Sequence, residues 1–273
     1  MLRLEEIMNI LEEITHKRRI DIERRKKMIS PQMIREKADR LAKKEKLQQG
    51  GFFFPFEKNL SGEGIHFICE VKKASPSKGI IAQDFPCLTI AKEYEQAGAS
   101  AISVLTEPEY FLGKDEYLQE IAGAVALPVL RKDFTIDAYQ IDEAKCLGAS
   151  AVLLICSLLE QNKLQELICR AHDLGLSALV EAHDERQVEQ ALLAGARVIG
   201  VNNRDLRSFQ VDIHNSIRLR RLVPEDILFV SESGIRTAAD VQILKEQGVN
   251  AALIGEALMR SQNKRKLLEE LKG

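Results

Sequence analysis

The sequence predicts a (β/α)8 TIM barrel preceded by an N-terminal helical extension. Three observations carry that prediction. Eight short apolar runs of β-forming residues succeed one another between residues 66 and 256, with starts 20–35 residues apart and stretches of helical length between them. The runs are almost continuously apolar, as parallel strands covered on both faces are. The 273 residues also suit a fold that typically takes about 250. A doubly wound open sheet is the rival, but no G-x-G-x-x-G follows the first run and eight similar units need no switch point. One barrel domain over 1–273 is expected, with 1–50 as an N-terminal helical extension.

In the extension, Leu4, Ile7, Met8, Leu11 and Ile14 recur at helical spacing, which predicts an amphipathic helix with one face to bury. Ser30-Pro31 predicts a second helix, serine as N-cap and proline in the first turn. Residues 1–50 hold fourteen Lys/Arg against nine Asp/Glu, a surplus of five that leaves −7 for the remainder of a chain whose formal charge is −2. Lys17-Arg18-Arg19 and Arg24-Arg25-Lys26-Lys27 have acids between them and no aromatics to stack on bases. They are expected to form a solvated helix face rather than a nucleic-acid patch.

After Gly50-Gly51 the strands read HFICEV (66–71), AISVLT (101–106), PVLRKDF (128–134), AVLLIC (151–156), ALVEA (178–182), VIGVNN (198–203), ILFVSES (227–233) and AALIGE (251–256). Four of the intervening helices close on a glycine just before the next strand, at Gly98, Gly148, Gly195 and Gly248.

Composition removes several classes of function. At 45% hydrophobic and 29% charged, the chain is neither disordered, collagen-like nor a wholly basic nucleic-acid binder. No apolar run reaches the roughly 18–20 residues of a membrane span. Glu5, Glu6, Glu12 and Glu13 interrupt the region where a secretory signal would be apolar, so a cytoplasmic protein is expected. Of the five cysteines, Cys69, Cys156 and Cys169 sit among apolar residues and read as core side chains, and no C-x-x-C pair occurs. The histidines are dispersed without H-x-x-x-H or H-E-x-x-H, so no metal is expected; only His183 lies where it could reach the barrel mouth. Neither a G-x-S-x-G elbow nor a P-loop is present.

Chemistry in such barrels collects at the C-terminal strand ends. Period 2 puts Glu70 and Lys72 on one face of the first strand. Lys132 ends the third, Glu181 the fifth, Asn202 with Arg204 the sixth, and Glu232 with Ser233 the seventh. Any one charge at a strand end is ordinarily a solvated loop residue. Five strands ending this way place amines and carboxylates in one desolvated mouth, where they must pair and where their proton affinities are shifted. Gly234 and Gly255, each just ahead of a predicted helix, let backbone N–H groups approach an anion, which points to phosphate.

These residues lie in motifs that resemble the indole-3-glycerol phosphate synthase family. The matching stretches are Glu70-Val71-Lys72-Lys73-Ala74-Ser75-Pro76-Ser77, Ile102-Ser103-Val104-Leu105-Thr106-Glu107 and Val129-Leu130-Arg131-Lys132-Asp133-Phe134. They continue with Leu179-Val180-Glu181, Ile199-Gly200-Val201-Asn202-Asn203-Arg204-Asp205-Leu206, Val230-Ser231-Glu232-Ser233-Gly234-Ile235 and Leu253-Ile254-Gly255. The resemblance runs from the first helix to about residue 260, and it implies that the extension 1–50 lies over the barrel mouth.

It implies a cofactor-free lyase step of tryptophan biosynthesis. Ring closure, decarboxylation and dehydration turn 1-(2-carboxyphenylamino)-1-deoxyribulose 5-phosphate into indole-3-glycerol phosphate, CO2 and water. It implies a small phosphosugar as the partner, with no nucleic acid, membrane or obligate protein partner. By the resemblance, Lys132 is the general acid, Glu181 the general base, and Lys72 a contact for the substrate carboxylate and a second acid. Glu70, Asn202 and Glu232 orient the lysines and the sugar hydroxyls. Ser75, Arg204, Leu206 and Ser233 contact substrate, Phe134 and Leu153 line a slot for the benzene ring, and Gly234, Gly255 and the backbone of Glu256 hold phosphate. Two departures stand out: Gly113-Lys114 where the family often has glycine-serine, and Glu256 where serine is common. A glutamate there is expected to turn away from phosphate. Other phosphosugar barrels, and a catalytically silent module holding nucleic acid on the basic helices, remain as alternatives. The pairing of E-x-K with L-x-K-D-F separates the first, and retention of both lysines with Glu181 argues against the second.

Overall fold

The computed structural model describes residues 4–205 and 210–273. Eight strands form a closed, wholly parallel barrel: β1 (His66–Val71), β2 (Ala101–Leu105), β3 (Val129–Lys132), β4 (Ala151–Ile155), β5 (Ser177–Ala182), β6 (Val198–Asn202), β7 (Leu228–Glu232) and β8 (Ala251–Ile254). Each pairs with its sequence neighbours, and β1 closes the ring on β8. Several predicted runs extend one or two residues past the ladders, because Thr106, Asp133-Phe134, Asn203 and Ser233 leave the sheet to build the loops of the mouth.

Strand parity sorts the apolar residues. Ile68, Ala101, Leu130, Ala151, Leu179, Val198, Val230 and Ala251 fill the interior, whereas Phe67, Cys69, Ile102, Val129, Val152, Val180 and Ile199 pack outward in a second cluster with the helices. Those helices begin with α1 (Leu4–Met28), α2 (Pro31–Gln49) and α3 (Pro55–Leu60) ahead of β1. Seven follow β1 to β7 in turn: α4 (Cys87–Gln96), α5 (Asp115–Ala122), α6 (Ala138–Cys146), α7 (Gln161–Asp173), α8 (Glu185–Leu193), α9 (His214–Arg220) and α10 (Ala238–Glu246). The chain ends with α11 (Glu256–Arg260) and α12 (Lys264–Lys272) after β8.

Local chemistry sets the helix starts. Ser30 caps α2, its Oγ accepting the Met33 N–H at 3.3 Å, with Pro31 in the first turn as predicted. Asp137 with Gln140 and Thr237 with Asp240 form reciprocal capping boxes that open α6 and α10 directly after the mouth loops of β3 and β7. The four glycines before the strands all have φ between +73° and +87°.

Three expectations need correction. Among the described residues of the extension only those of α1 reach the mouth, where it places Ile10, Leu11 and Ile14. Its neighbour α2 lies along the outside of the barrel, because Ile34, Ala38 and Ala42, four residues apart, form an apolar stripe, and α2 packs against α6. The basic run of α1 is not simply a solvated face. Arg18 is 1% exposed and donates to Asp133 Oδ2 at 2.9 Å, while Arg25 reaches Asp115 and Glu143 and Lys26 reaches Asp137. Finally, Cys169 is exposed: Leu167, Ile168 and Ala171 take the inward face of α7 and leave position 169 on the other side.

Candidate active site

The predicted strand ends meet. A hollow of about 390 Å³ at the C-terminal end of the barrel is lined by Glu70, Lys72, Ser75, Lys132, Phe134, Leu153, Glu181, Asn202, Arg204, Glu232, Ser233, Gly234, Gly255 and Glu256. That is every predicted site residue except Leu206, which lies outside the described residues. The size suits a single drug-sized ligand.

Register explains the convergence. Across the mouth Leu105 pairs with Lys132, Ile155 with Glu181 and Asn202 with Glu232, so the inward residues of neighbouring strands arrive at similar height. Lys132 Nζ donates to Glu232 Oε2 at 2.8 Å and stands 3.7 Å from Glu181 Oε2. Lys72 forms a close ion pair with Glu70, two residues back on the same face. Asn202 takes the Arg204 N–H on its Oδ1 at 3.0 Å, which turns its Nδ2 toward Glu181 Oε1 at 3.3 Å.

Two glycines make room for these groups. A Cβ at Gly200 would run into the Glu232 carboxylate, and one at Gly255 would run into Glu70 and crowd Lys72. The second gives Gly255 a spatial role that sequence reading did not anticipate. Gly234 (φ +87°) follows Ser233 (φ +68°), a left-handed pair in which the serine is held by Asn203 Nδ2 donating to its carbonyl at 3.0 Å.

Electrostatics separates the carboxylates. Burial opposes ionisation of Glu70, but Lys72 and Lys132 outweigh it and hold its carboxyl below the usual range. Burial also pushes Glu232, and there the attraction of Lys132 is met by repulsion from Glu181 and Glu70, so the carboxyl is raised to about 7. Burial pulls on the Lys132 ammonium, yet Glu232, Glu181 and Glu70 overcome it and keep the proton bound well past neutrality. The hollow therefore holds a charged amine beside carboxylates whose proton affinities are driven apart, as acid–base chemistry needs.

Some lining residues were missed by sequence reading. Phe111 stands 6.2 Å from Phe134, ring centre to ring centre, and extends the apolar slot. Its loop is shaped by the buried Glu107 carboxylate, which accepts the backbone N–H groups of Glu109, Tyr110 and Phe111 at 2.7–3.0 Å. The only hint was an aromatic pair, Tyr110-Phe111, just after a strand. Arg236 and Arg260 join Gly234 and Gly255 at one end of the hollow. There Glu256 stands 3.2 Å from Arg260 and 3.9 Å from Lys78. Lys114 stands over the Tyr117 ring.

Among the described residues, no helix is long and apolar enough to cross a membrane. Solved structures with the same barrel include a 3-hexulose-6-phosphate synthase (TM-score 0.62, 14% identity, covering 76% of this chain and 98% of that one). A thiamine phosphate pyrophosphorylase from Pyrococcus furiosus is similar too (TM-score 0.57, 16% identity, 76% and 93%). At such identities the likeness is one of fold alone.

Sequence relatives are far nearer. The chain is 54% identical over 264 residues to the indole-3-glycerol phosphate synthase of Ruminiclostridium cellulolyticum, covering 97% of this chain and 99% of the relative. It is 58% identical over 238 residues to that of Endomicrobium trichonymphae, covering 87% and 92%. The family model described as indole-3-glycerol phosphate synthase matches residues 11–271. With its strand-end motifs brought together in one mouth, the chain belongs to the indole-3-glycerol phosphate synthase family.

Proposed function

We propose that this hollow converts 1-(2-carboxyphenylamino)-1-deoxyribulose 5-phosphate into indole-3-glycerol phosphate, CO2 and water. The observation that carries the reading is Lys132: a largely enclosed, protonated amine between Glu232 and Glu181, in a hollow lined by apolar side chains and by glycines and arginines.

The substrate is anionic at both ends and aromatic at one. Its phosphate sits where Gly234 and Gly255 expose backbone, beside Arg236 and Arg260. Its benzene ring enters the slot formed by Phe111, Phe134 and Leu153, which Leu11 and Ile14 of α1 help close against water. Lys72 meets the ring carboxylate.

When the carboxyl-bearing ring carbon attacks the ketone carbon, negative charge develops on the ketone oxygen, and the Lys132 ammonium donates its proton there. Loss of CO2 restores the aromatic ring. The new hydroxyl then leaves as water, with Lys72 supplying a proton to the leaving oxygen and Glu181 accepting the proton that the substrate gives up. Glu70, Asn202 and Glu232 hold the two lysines and Glu181 in place through the contacts described above. Arg204, Ser75 and Ser233 add polar contacts at the rim.

The test is direct: incubate the protein with this substrate and follow indole fluorescence together with released CO2. One equivalent of each per substrate consumed is expected. Substrate left unchanged by folded protein would overturn the reading.

A further inference from the structure

Asn203 follows Asn202 directly, yet it does not line the hollow. It is 3% exposed and belongs to a knot of three buried polar side chains, with Ser231 of β7 and Ser216 of α9. Its amide is fully used. Oδ1 accepts the Ser216 backbone N–H at 3.0 Å and the Ser216 hydroxyl at 2.7 Å. Nδ2 donates to Ser231 Oγ at 2.9 Å and to the Ser233 carbonyl at 3.0 Å. A backbone donor at one end and a carbonyl at the other leave the amide a single orientation. No step of the chemistry above draws on this knot.

Its purpose lies in what it grips. Ser233 and Leu112 are the two non-glycine residues with positive φ among those described, and φ of +68° at Ser233 disfavours an L side chain unless neighbours impose it. The peptide joining Ser233 to Gly234 is trans, so its carbonyl and its N–H point in opposite directions. With the carbonyl turned in to Asn203, the Gly234 N–H is turned away from Asn203, and Gly234 lines the hollow where Asn203 does not. Among the described residues, no group accepts that N–H. Gly234 itself cannot take a side chain, because a Cβ there would run into Val211.

We propose that Asn203 is a positioning residue for anion binding. Through the Ser233 carbonyl it holds the Ser233-Gly234 turn in its left-handed form, and so keeps the Gly234 N–H aimed at the substrate's phosphate. Asn203 acts through the backbone and touches no substrate atom. The inference rests on the reading that seats phosphate against Gly234. Backbone N–H groups presented by such turns suit anions, and a turn held beforehand spares the ligand the cost of ordering it.

The test is a titration of the full chain with inorganic phosphate, followed by the Gly234 amide signal in ¹H–¹⁵N spectra. Wild type is expected to show a saturable shift; a Gly234 amide indifferent to phosphate overturns the anion reading and this proposal with it. Asn203→Ala is expected to raise the phosphate Kd about fivefold, the size of effect that one or two buried hydrogen bonds give. The substrate KM is expected to rise by a similar factor, with kcat within about twofold. Asn203→Asp has the same shape, keeps an acceptor for Ser216 and sets an oxygen against the Ser233 carbonyl. The same direction is expected of it, and it serves where the alanine variant does not fold. Ser233→Gly separates the turn from a general loss, since glycine takes a left-handed φ without penalty. In that background most of the rise in Kd is expected to disappear for either Asn203 variant, a coupling that a merely structural role or an added charge would not show. A folded Asn203 variant with unchanged phosphate affinity overturns the proposal and leaves the phosphate seat standing. So does a loss of affinity that is the same with and without Ser233→Gly.

Discussion

Two clusters of buried charge lie back to back on the same strand. Lys132 faces the hollow with Glu70, Glu181 and Glu232. Its neighbours in sequence, Arg131 and Asp133, face the other way, into a network that ties α1 to the barrel. There Arg18 pairs with Asp21 and Asp133, Arg25 with Asp21, Asp115 and Glu143, and Arg131 with Asp115 and Glu143. Each carboxylate of that network has a guanidinium within 3.1 Å, and Thr106 Oγ1 and the Phe134 N–H complete Asp133 at 2.6 and 2.8 Å. The mouth is the contrary case. Glu70, Glu181 and Glu232 share the ammoniums of Lys72 and Lys132, Glu232 Oε1 makes no hydrogen bond among the described residues, and the Glu232 carboxyl is pushed up to about 7. The same residue types, one position apart, give a strap on one side and an unfinished set of proton sites on the other. In the strap every carboxylate is satisfied, although the buried Arg18 Nε is not; in the mouth a carboxylate oxygen is left open, which leaves capacity for a ligand.

The comparison breaks if substitutions in the two clusters have the same kind of effect. The largest effect is expected from Lys132→Ala: kcat below a hundredth of wild type with KM within about tenfold, since the proton is needed chiefly in the transition state. Retention of more than a tenth of kcat would remove the general-acid role. Next comes Asp133→Asn, which leaves Arg18 buried without its anion. Denaturant unfolding is expected to show a loss of about 3–5 kcal/mol, the usual cost of breaking one side of a buried pair. A loss below about 1 kcal/mol would show that the network is not the strap described.

A third test sets the clusters against each other by pH. Burial first, then Glu181 and Glu70, raise the Glu232 carboxyl, so the folded state holds a proton there that the unfolded chain releases near 4.5. Its contribution to stability is full below that value and lost as pH rises through about 7. Asp21 and Asp115 have the opposite sign. Burial raises them, but Arg25 and Arg131 prevail and hold both below 3.8, so their contribution is present above that value and lost as pH falls. Unfolding midpoints of Glu232→Gln are therefore expected to gain on wild type between pH 5 and pH 8. A difference independent of pH over that window would contradict the shift. The smallest effect is expected from Glu256→Ser, which removes a carboxylate beside the anion end of the hollow: KM falls about two- to threefold with kcat unchanged. A raised KM would place the phosphate elsewhere.

Much of the mouth was legible because its signal is local. A charge that ends an apolar run, read with period 2, fixes both the strand and the face, which is why Glu70, Lys72, Lys132, Glu181 and Glu232 could be placed together from sequence. What stayed hidden depends on partners far along the chain. Arg18 looks like any surface arginine until its partner, 115 positions away, is known. Phe111 enters the slot because Glu107 gathers three backbone N–H groups, a loop shape that no periodicity encodes. Gly200 is required by a carboxylate on the adjacent strand. His183, expected within reach of the mouth, lies one residue past β5 and does not line the hollow.

The claim beneath all of this is that one cavity seats the entire substrate with its ketone oxygen at the Lys132 ammonium. A crystal structure of Lys132→Ala soaked with the carboxyphenylamino-deoxyribulose phosphate measures it most directly. The account predicts phosphate against Gly234 and Gly255, the benzene ring between Phe111 and Phe134, and the ketone oxygen in the space vacated by Nζ. Substrate bound outside the barrel mouth, or seated with its phosphate among the aromatic rings, would contradict it.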